Sequence, residues 1–201
     1  MTVLLCLLAA WSLEVSAGSA VSLPTRLVIH QQGQTDLDFT AQYRTRPFSE
    51  VPYYDVRLGR SDCRGAWELE LVHHKLYLAN RPPEVDTFEI THGYNFITAN
   101  RSFLVRGFDL RAGAGVVMPH PQTTIRGRHF DATKGMLGTG WYFSGGVVQV
   151  GLGHRFALGR HWQVGAEAKG TAALARVPIV DGWADVPNLA IHGLITVGYL
   201  F

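Results

Sequence analysis

The sequence is poor in charged residues, in cysteine and in long apolar runs. Asp, Glu, Lys and Arg make up 17% of its 201 residues, whereas a typical soluble domain has about a quarter. The net charge of +2 gives no argument for a nucleic-acid partner. Beyond the first segment, no stretch approaches the roughly 18 consecutive apolar residues of a transmembrane helix. No phosphate-binding glycine loop or dinucleotide fingerprint stands between a predicted strand and a helix, so no cofactor is indicated.

The first segment has the features of a signal peptide. An apolar stretch runs from Val3 to Leu13, and the small residues of Val15–Ala17 fit a cleavage site, with Gly18–Ala20 as an alternative. We therefore predict a signal peptide over residues 1–17 and a secreted domain over residues 18–201. The two cysteines are Cys6 and Cys63. Cleavage would remove Cys6, which predicts a lone thiol and no intrachain disulfide in the mature protein.

Eight strands are predicted in the secreted part. They cover residues 34–44, 53–59, 65–74, 87–97, 103–117, 141–156, 161–175 and 188–201. Their connections alternate between short ones and mostly longer ones that are rich in proline and glycine. This alternation is typical of an up-and-down outer-membrane barrel, which has short turns on one side and longer loops on the other. A β-sandwich also has many short strands, but it does not predict the alternation.

The predicted strands carry an apolar set and a charged set at alternating positions. Val164 and Ala166, for example, alternate with Gln163 and Glu167, and alternate side chains of a strand point to opposite faces. In a membrane barrel the apolar set faces lipid, whereas in a soluble lipocalin-like carrier it faces inward. The charged set is mixed in sign, which suits an interior ion-pair network without an open pore. It comprises Asp38, Asp55, Glu68, Glu70, Glu89, Asp109 and Glu167 with Arg44, Arg57, Arg111, Arg155 and Lys169.

The last predicted strand ends on an aromatic residue. Ile195, Val197, Tyr199 and Phe201 share one parity, and this pattern resembles the C-terminal signature of bacterial outer-membrane β-barrels. In size and strand count the chain is similar to the small-barrel group that includes OmpA- and OmpX-like barrels and the lipid A enzymes PagP and PagL. The resemblance implies an all-β fold, an eight-stranded antiparallel up-and-down transmembrane β-barrel. It also implies a place in the outer membrane of a Gram-negative bacterium.

The densest set of reactive side chains lies on two neighbouring predicted strands. It comprises Glu68, Glu70, His73, His74 and His92. Carboxylates and imidazoles on one hairpin can form an acid/base site or a metal site, or an interior ion-pair cluster with polar residues at the rim. We expect neither a metal nor a cofactor. The deacylase family has a His-x-Ser pair that occurs nowhere in this sequence, so no catalytic residue is carried over.

We expect a structural or surface-binding role without channel activity. The expected partners are outer-membrane lipid, lipopolysaccharide and the barrel assembly machinery, which would read the C-terminal strand; the barrel is expected to be a monomer. The alternative is a lipid A-modifying enzyme of the outer leaflet, an acyl hydrolase or an acyltransferase, that uses the His/Glu hairpin.

Overall fold

The computed structural model describes residues 10–49, 51–90, 92–130 and 135–201. These residues form fifteen strands: β1 (Trp11–Leu23), β2 (Thr25–Gln31), β3 (Leu37–Ala41), β4 (Tyr43–Arg44), β5 (Tyr54–Asp62), β6 (Gly65–His73), β7 (Leu76–Leu78), β8 (Val85–Ile90), β9 (Tyr94–Val105), β10 (Phe108–Pro119), β11 (Gln122–Ile125), β12 (Arg128–Phe130), β13 (Gly145–Leu158), β14 (Trp162–Ile179) and β15 (Gly182–Leu200). A single 3-10 turn covers Met136–Gly138. Within the described part of the chain, no helix has the length and apolarity needed to cross a membrane.

Eight of these strands close into an antiparallel barrel. The order around it is β1, β5, β6, β9, β10, β13, β14 and β15. Strand β15 then pairs with β1, in a register from Ser12↔Leu200 to Leu23↔Leu189. This closure satisfies both edges of the sheet along the shared length of the two strands. The predicted fold class, an all-β eight-stranded up-and-down barrel, is confirmed.

The first barrel strand is the main departure from the prediction. The sequence predicts residues 34–44 as the first wall strand, but the structure uses β1 between β5 and β15. The segment from Leu37 to Arg44 instead forms β3 and β4, which lie outside the ring of eight strands.

Strand β1 overlaps the predicted signal peptide, residues 1–17. Residues Trp11–Ala17 are the part of β1 that pairs with β5, so cleavage after Ala17 would remove that pairing. A leader that leaves β1 intact has to end before Trp11. Residues 1–9, which hold most of the predicted apolar stretch, lie outside the described residues, and the signal peptide stays a prediction.

A tight turn at Arg106–Gly107 corrects two further boundaries. The sequence predicts a connection at residues 98–102 and a bulge near Arg106–Gly107, whereas β9 continues to Val105 and pairs there with Phe108 of β10. Arg106 and Gly107 have φ values of 53° and 87°, as the primed turns of two-residue hairpins require. The change of parity around Gly107 therefore marks a turn and not a bulge.

The two ends of the barrel differ in their connections, as predicted. One end, the turn end, carries the short connections 63–64, 106–107 and 159–161, and there the Phe201 N–H donates to the Trp11 carbonyl over 2.9 Å. The other end, the cap end, carries β2–β4, β7, β8, β11 and β12, which together are called the cap. Three of the four cap-end connections are long, as predicted, but the first two, 24–53 and 74–93, also include residues 34–44 and 87–90, which the sequence predicts as wall strand. The last connection is shorter than predicted. Residues 176–187 do not form a loop, because β14 and β15 extend to a two-residue turn at residues 180–181.

Cys63 at the turn end is disulfide-bonded in the uncleaved chain. The lone thiol is expected only after the leader has been removed, and it stays a prediction. The only other cysteine of the sequence is Cys6, which lies outside the described residues.

The cap continues the barrel wall. Strands β2 and β3 add to the sheet next to the cap end of β15. Strands β12, β11, β8, β7 and β4 form a second sheet in that order. These strands extend the enclosed interior beyond the ring of eight strands.

The interior has two layers with different chemistry. Along β14 the inward positions change from Val177, Ala175 and Ala173 at the cap end to Lys169 and Glu167 nearer the turn end, and all five are buried. The apolar layer includes Leu27, Ile29, Val72, Phe88, Ile90, Tyr94, Phe96, Val117 and Val186. The polar layer includes Glu14, Asp55, Arg57, Glu68, Glu70, Arg111, Glu167 and Lys169.

The exterior of the barrel is an apolar band. Exposed apolar side chains include Leu13, Val15, Leu58, Leu69, Leu110, Val148, Val150, Leu152, Ile191, Ile195 and Val197. Aromatic side chains are exposed near the turn end, among them Trp11, Trp67, Phe103, Phe156, Trp162 and Phe201. The charged set therefore faces inward and the apolar set outward along the same strands.

Candidate functional site

Arg57 is the centre of the interior ion pairs. Its guanidinium donates to Glu14 Oε2 over 2.7 Å, to Glu70 Oε1 over 2.5 Å and to Glu167 Oε2 over 3.1 Å. These carboxylates come from β1, β6 and β14, so one side chain joins three separate parts of the wall. Buried charges are tolerated when each has a partner and its remaining donors or acceptors are used.

Glu68 and Glu70, two of the predicted site residues, lie in this network. Arg111 donates to both Glu68 and Glu167. Glu70 accepts from Lys169 Nζ over 2.5 Å and from the Asn100 amide over 2.9 Å, in addition to Arg57. Their oxygens are occupied by cations and amides, which suits a structural role.

The predicted interior charges are partly reassigned. Lys169 also binds Asp55 over 2.7 Å, and Arg155 binds Asp109 over 2.6 Å, as expected for lumen residues. Three other predicted lumen charges lie elsewhere. Asp38 pairs with Arg26 in the exposed β2–β3 hairpin, Arg44 is exposed, and Glu89 lies opposite the buried face of β8.

His74 lies inside the barrel, between the two layers. Its ring centroid is 5.1 Å from that of His192 and 5.8 Å from that of Phe96. His192 is held on both sides, by the Tyr53 hydroxyl over 2.6 Å and by the Thr171 hydroxyl over 2.9 Å. The nitrogens of His74 have no hydrogen-bond partner, and burial lowers the pKa of His74 to about 4. His74 is therefore neutral near pH 7.

His73 faces the other way, onto the exterior of the wall. It is the cross-strand neighbour of Tyr54, and the two rings stack with centroids 4.9 Å apart and an angle of 6° between planes. His73 Nδ1 lies 2.8 Å from Asn95 Oδ1. His73 is only 2% exposed, and its Nε2 is buried without a hydrogen-bond partner.

Gly93 makes room for the His73–Asn95 pair. It has a φ of 111°, and a Cβ at this position would overlap Asn95 Oδ1 and lie 2.7 Å from His73 Nδ1. Any other residue would therefore push the pair apart as well as strain the backbone.

His92 lies beside Gly93 in a second aromatic group. Its ring centroid is 5.0 Å from that of His120, and His120 is 5.1 Å from the Trp141 ring. The Gln122 amide lies 3.3 Å from His92 Nδ1. Burial and the neighbouring His92 lower the pKa of His120. Among the described residues, no group of three or more His, Cys, Asp or Glu side chains is arranged to hold a metal ion.

The structure thus separates the five predicted site residues into three places. Glu68 and Glu70 lie in the polar interior, His74 lies between the interior layers, and His73 and His92 lie at the rim where wall and cap meet. Sequence reasoning missed Asn95, Tyr53, His192 and Glu14. Asn95 could have been found from the irregularity that Gly93 signals two residues before it, but Glu14 was hidden in the predicted leader.

Comparison with known proteins supports the fold alone. No protein-family model matches the chain, and no curated protein matches it. The solved structure of the outer membrane protein AlkL in lipid bilayers is similar, with a TM-score of 0.54 and 13% identity, over 96% of this chain and 90% of that one. Neisserial surface protein A matches with a TM-score of 0.48 and 9% identity, over 95% and 97% of the two chains. OprG from Pseudomonas aeruginosa matches with a TM-score of 0.48 and 11% identity, over 96% of each chain. The chain has the fold of the small eight-stranded outer-membrane barrels.

Proposed function

We propose that this protein is an integral outer-membrane β-barrel with a structural or surface-binding role and a packed, ion-paired interior. The observation that carries the proposal is the opposite chemistry of the two faces of one wall. On β14, Ala166 and Ala168 are exposed, while Glu167 and Lys169 between and beside them are buried. A soluble barrel buries its apolar set, whereas a membrane barrel turns that set toward lipid.

The cap supports an orientation with this end in water. Its outer surface carries exposed ion pairs, Arg26–Asp38 on the β2–β3 hairpin and Arg128–Asp181 beside it. Inside, the cap has an apolar core like that of a soluble domain. We infer that the cap extends from the outer leaflet and is the surface available to partners, with lipopolysaccharide the expected lipid partner.

The same interior argues against an open pore. Ions would have to pass both the apolar layer and the salt-bridged layer, and each is closely packed across the lumen. The closed ring supports a monomer, because closure leaves no strand edge within the ring for a second copy to pair with, and the edge strands β3, β4 and β12 are confined to the cap.

The location can be tested by fractionation and by gel mobility. We expect the protein in the outer-membrane fraction, a faster mobility unheated than boiled in detergent, and no conductance in planar bilayers. Recovery in the soluble periplasm contradicts membrane insertion, and stable channel currents contradict the plugged interior.

The last strand provides a matched pair of variants. Phe201 is 66% exposed and packs on Tyr199, so Phe201→Asp places a charge where the apolar terminus should meet the membrane and the assembly machinery. Phe48→Asp is the control, because Phe48 is 85% exposed on the cap. We expect folded barrel to fall sharply in the first variant and to stay near the wild-type level in the second. Equal levels would count against the role of the terminal strand in assembly.

The alternative function, a lipid A-modifying enzyme, would have to use His73 and His92, since Glu68 and Glu70 are held in ion pairs. Mass spectrometry of lipid A from cells with and without the protein tests it. An altered acyl pattern that depends on His73 would replace the structural role.

A further inference from the structure

We propose that the outward-facing His73–Asn95 pair binds the headgroup of an outer-leaflet lipid through a hydrogen-bond donor of that headgroup, a hydroxyl or an ammonium group. This inference rests on the proposed function, because it needs the exterior of the wall to face the bilayer.

The position of the pair fits the level of lipid headgroups. Ala17, Tyr54 and His73 form one outward row across β1, β5 and β6. The row below His73 holds Leu71 and Ile97, and the next holds the exposed Leu69. Above His73 the chain enters the cap. On β6 and β9 the pair therefore lies at the cap end of the outward apolar positions, and from this local position we place it near the level of the lipid headgroups, where polar and aromatic side chains meet the bilayer interface.

The hydrogen bond to Asn95 leaves a free acceptor on His73. An amide oxygen can only accept, so Nδ1 carries the proton that it donates to Asn95 Oδ1. Nε2 then has an unshared electron pair, and it is buried without a partner. An unpaired buried polar atom is unfavourable unless a water molecule or a ligand satisfies it, and we propose a ligand here.

The surroundings fix this imidazole in place. The Tyr54 ring stacks flat on it, and the absence of a side chain at Gly93 allows Asn95 to approach. The orientation and the tautomer of His73 are thus set before any ligand arrives, which lowers the ordering cost of binding. Because Nε2 is buried, a headgroup reaches it only by displacing the atoms that cover it.

The chemistry of Nε2 selects among lipids. A neutral imidazole acceptor needs an N–H or O–H donor. The choline headgroup of phosphatidylcholine has no such donor, phosphatidylethanolamine has an ammonium group, and lipopolysaccharide has sugar hydroxyls. These three lipids therefore separate the possible sources of the donor.

The test is nitrogen-15 NMR of histidine-labelled protein in vesicles of phosphatidylcholine alone, or with added phosphatidylethanolamine or lipopolysaccharide. In phosphatidylcholine we expect His73 to be protonated at Nδ1 and not at Nε2. One or both donor lipids should shift the Nε2 resonance of His73. His192, whose two nitrogens already contact Tyr53 and Thr171, is the internal control and should not shift.

Two variants make the result specific. Asn95→Leu removes the acceptor that fixes the tautomer, and Gly93→Ala forces Asn95 away. Both should lose the lipid-dependent shift of His73 while the gel mobility of the folded barrel is kept. The control Gly127→Ala changes a glycine with open space around it and should keep the shift.

The outcomes separate this proposal from the function on which it rests. A shift with lipopolysaccharide alone assigns the donor to hydroxyls, and one with phosphatidylethanolamine alone assigns it to ammonium. A barrel that inserts but shows no shift with either lipid, or that has Nδ1 unprotonated, overturns the site alone. A protein that does not insert into vesicles overturns the proposed function and the site together.

Discussion

Glu70 shows how much of the interior depends on single side chains. It accepts hydrogen bonds from Arg57 and Lys169, each over 2.5 Å, and from Asn100 over 2.9 Å. These donors belong to β5, β14 and β9. Loss of the carboxylate would leave two buried cations undercompensated in the middle of the barrel.

We expect Glu70→Ala to lower the free energy of unfolding by about 3–5 kcal/mol, because removal of one partner leaves buried charge unpaired. Glu84→Ala, at an exposed position of the cap, should change it by less than about 0.5 kcal/mol. Urea unfolding in lipid vesicles measures both. Equal stability of the two variants would mean that the network contributes little.

His74 makes stability depend on pH. Its pKa of about 4 in the folded protein lies below the ordinary value of 6.5, so the unfolded chain binds a proton first as the pH falls. The contribution of His74 is complete above about pH 6.5 and is lost as the pH falls toward about 4, by up to about 3 kcal/mol.

Unfolding free energies between pH 8 and pH 4 in wild type and His74→Phe test this prediction. The variant should have a shallower pH dependence, and His129→Phe, at an exposed cap position, should keep the wild-type slope. An unchanged slope in His74→Phe would assign the pH dependence to other groups.

At the level of single residues, the sequence predicted which face of the barrel wall a side chain occupies better than which side chain it pairs with. Glu167 inward and Ala166 outward follow from parity and are confirmed. Which cation meets which carboxylate depends on strand register, which one sequence does not reveal. His73 and His74 are adjacent, and alternation correctly separates their faces, but only the register brings Asn95 to His73.

Strand β14 is the element in which the alternation is clearest, and it gives a direct test of the lipid-facing wall. Ala166→Arg should lower stability by about 2–4 kcal/mol if this position lies near the bilayer midplane. Gln34→Arg, on the exposed β2–β3 connection, is the matched control and should have little effect.

Refolding into lipid vesicles measures both variants. A harmless Ala166→Arg would place this position in water and would favour the soluble-carrier alternative over the membrane barrel.

Element boundaries were harder to predict than element types. The alternating pattern is present in β1, but an apolar start followed by small residues also fits a leader, and the local sequence does not separate the two. The turn at Arg106–Gly107 was mistaken for a bulge because both produce a change of parity next to a glycine. Only the pairing of Val105 with Phe108 distinguishes them.

The interior of the whole molecule has an apolar layer and an ionic layer in series, and under the proposed function each of them closes the lumen. Phe88 is fully buried in the apolar layer, and Phe88→Ala should lower stability by about 3–5 kcal/mol through lost packing. It should not produce conductance, because the ionic layer still blocks the lumen. Phe143→Ala, at a 63% exposed site, is the control.

Unfolding and planar-bilayer recordings on the same samples test this prediction. Currents through Phe88→Ala would show that the apolar layer alone closes the barrel.

The sequence did not predict that the interior changes from polar to apolar toward the cap end. Parity assigns faces, and it led to the expectation of a polar interior throughout. Tyr94 and Phe96 share the inward parity of Asn100, so nothing in the alternation marks the level at which the interior changes from polar to apolar. That level depends on where the membrane ends and the cap begins.

The ion pairs around Arg57 also constrain the order of events during insertion. Their members come from β1, β5, β6, β10 and β14, which are far apart in the chain. A single strand or hairpin that entered lipid alone would carry its charges without partners, at a high free-energy cost. Glu14 on β1 can pair with Arg57 as soon as β1 and β5 have formed. Glu167 and Lys169 can join the network only when β14, the penultimate strand, is in place. Neutralisation of the lumen is therefore complete only when the ring is nearly closed, so crossing the bilayer and closing the barrel should occur as one concerted step.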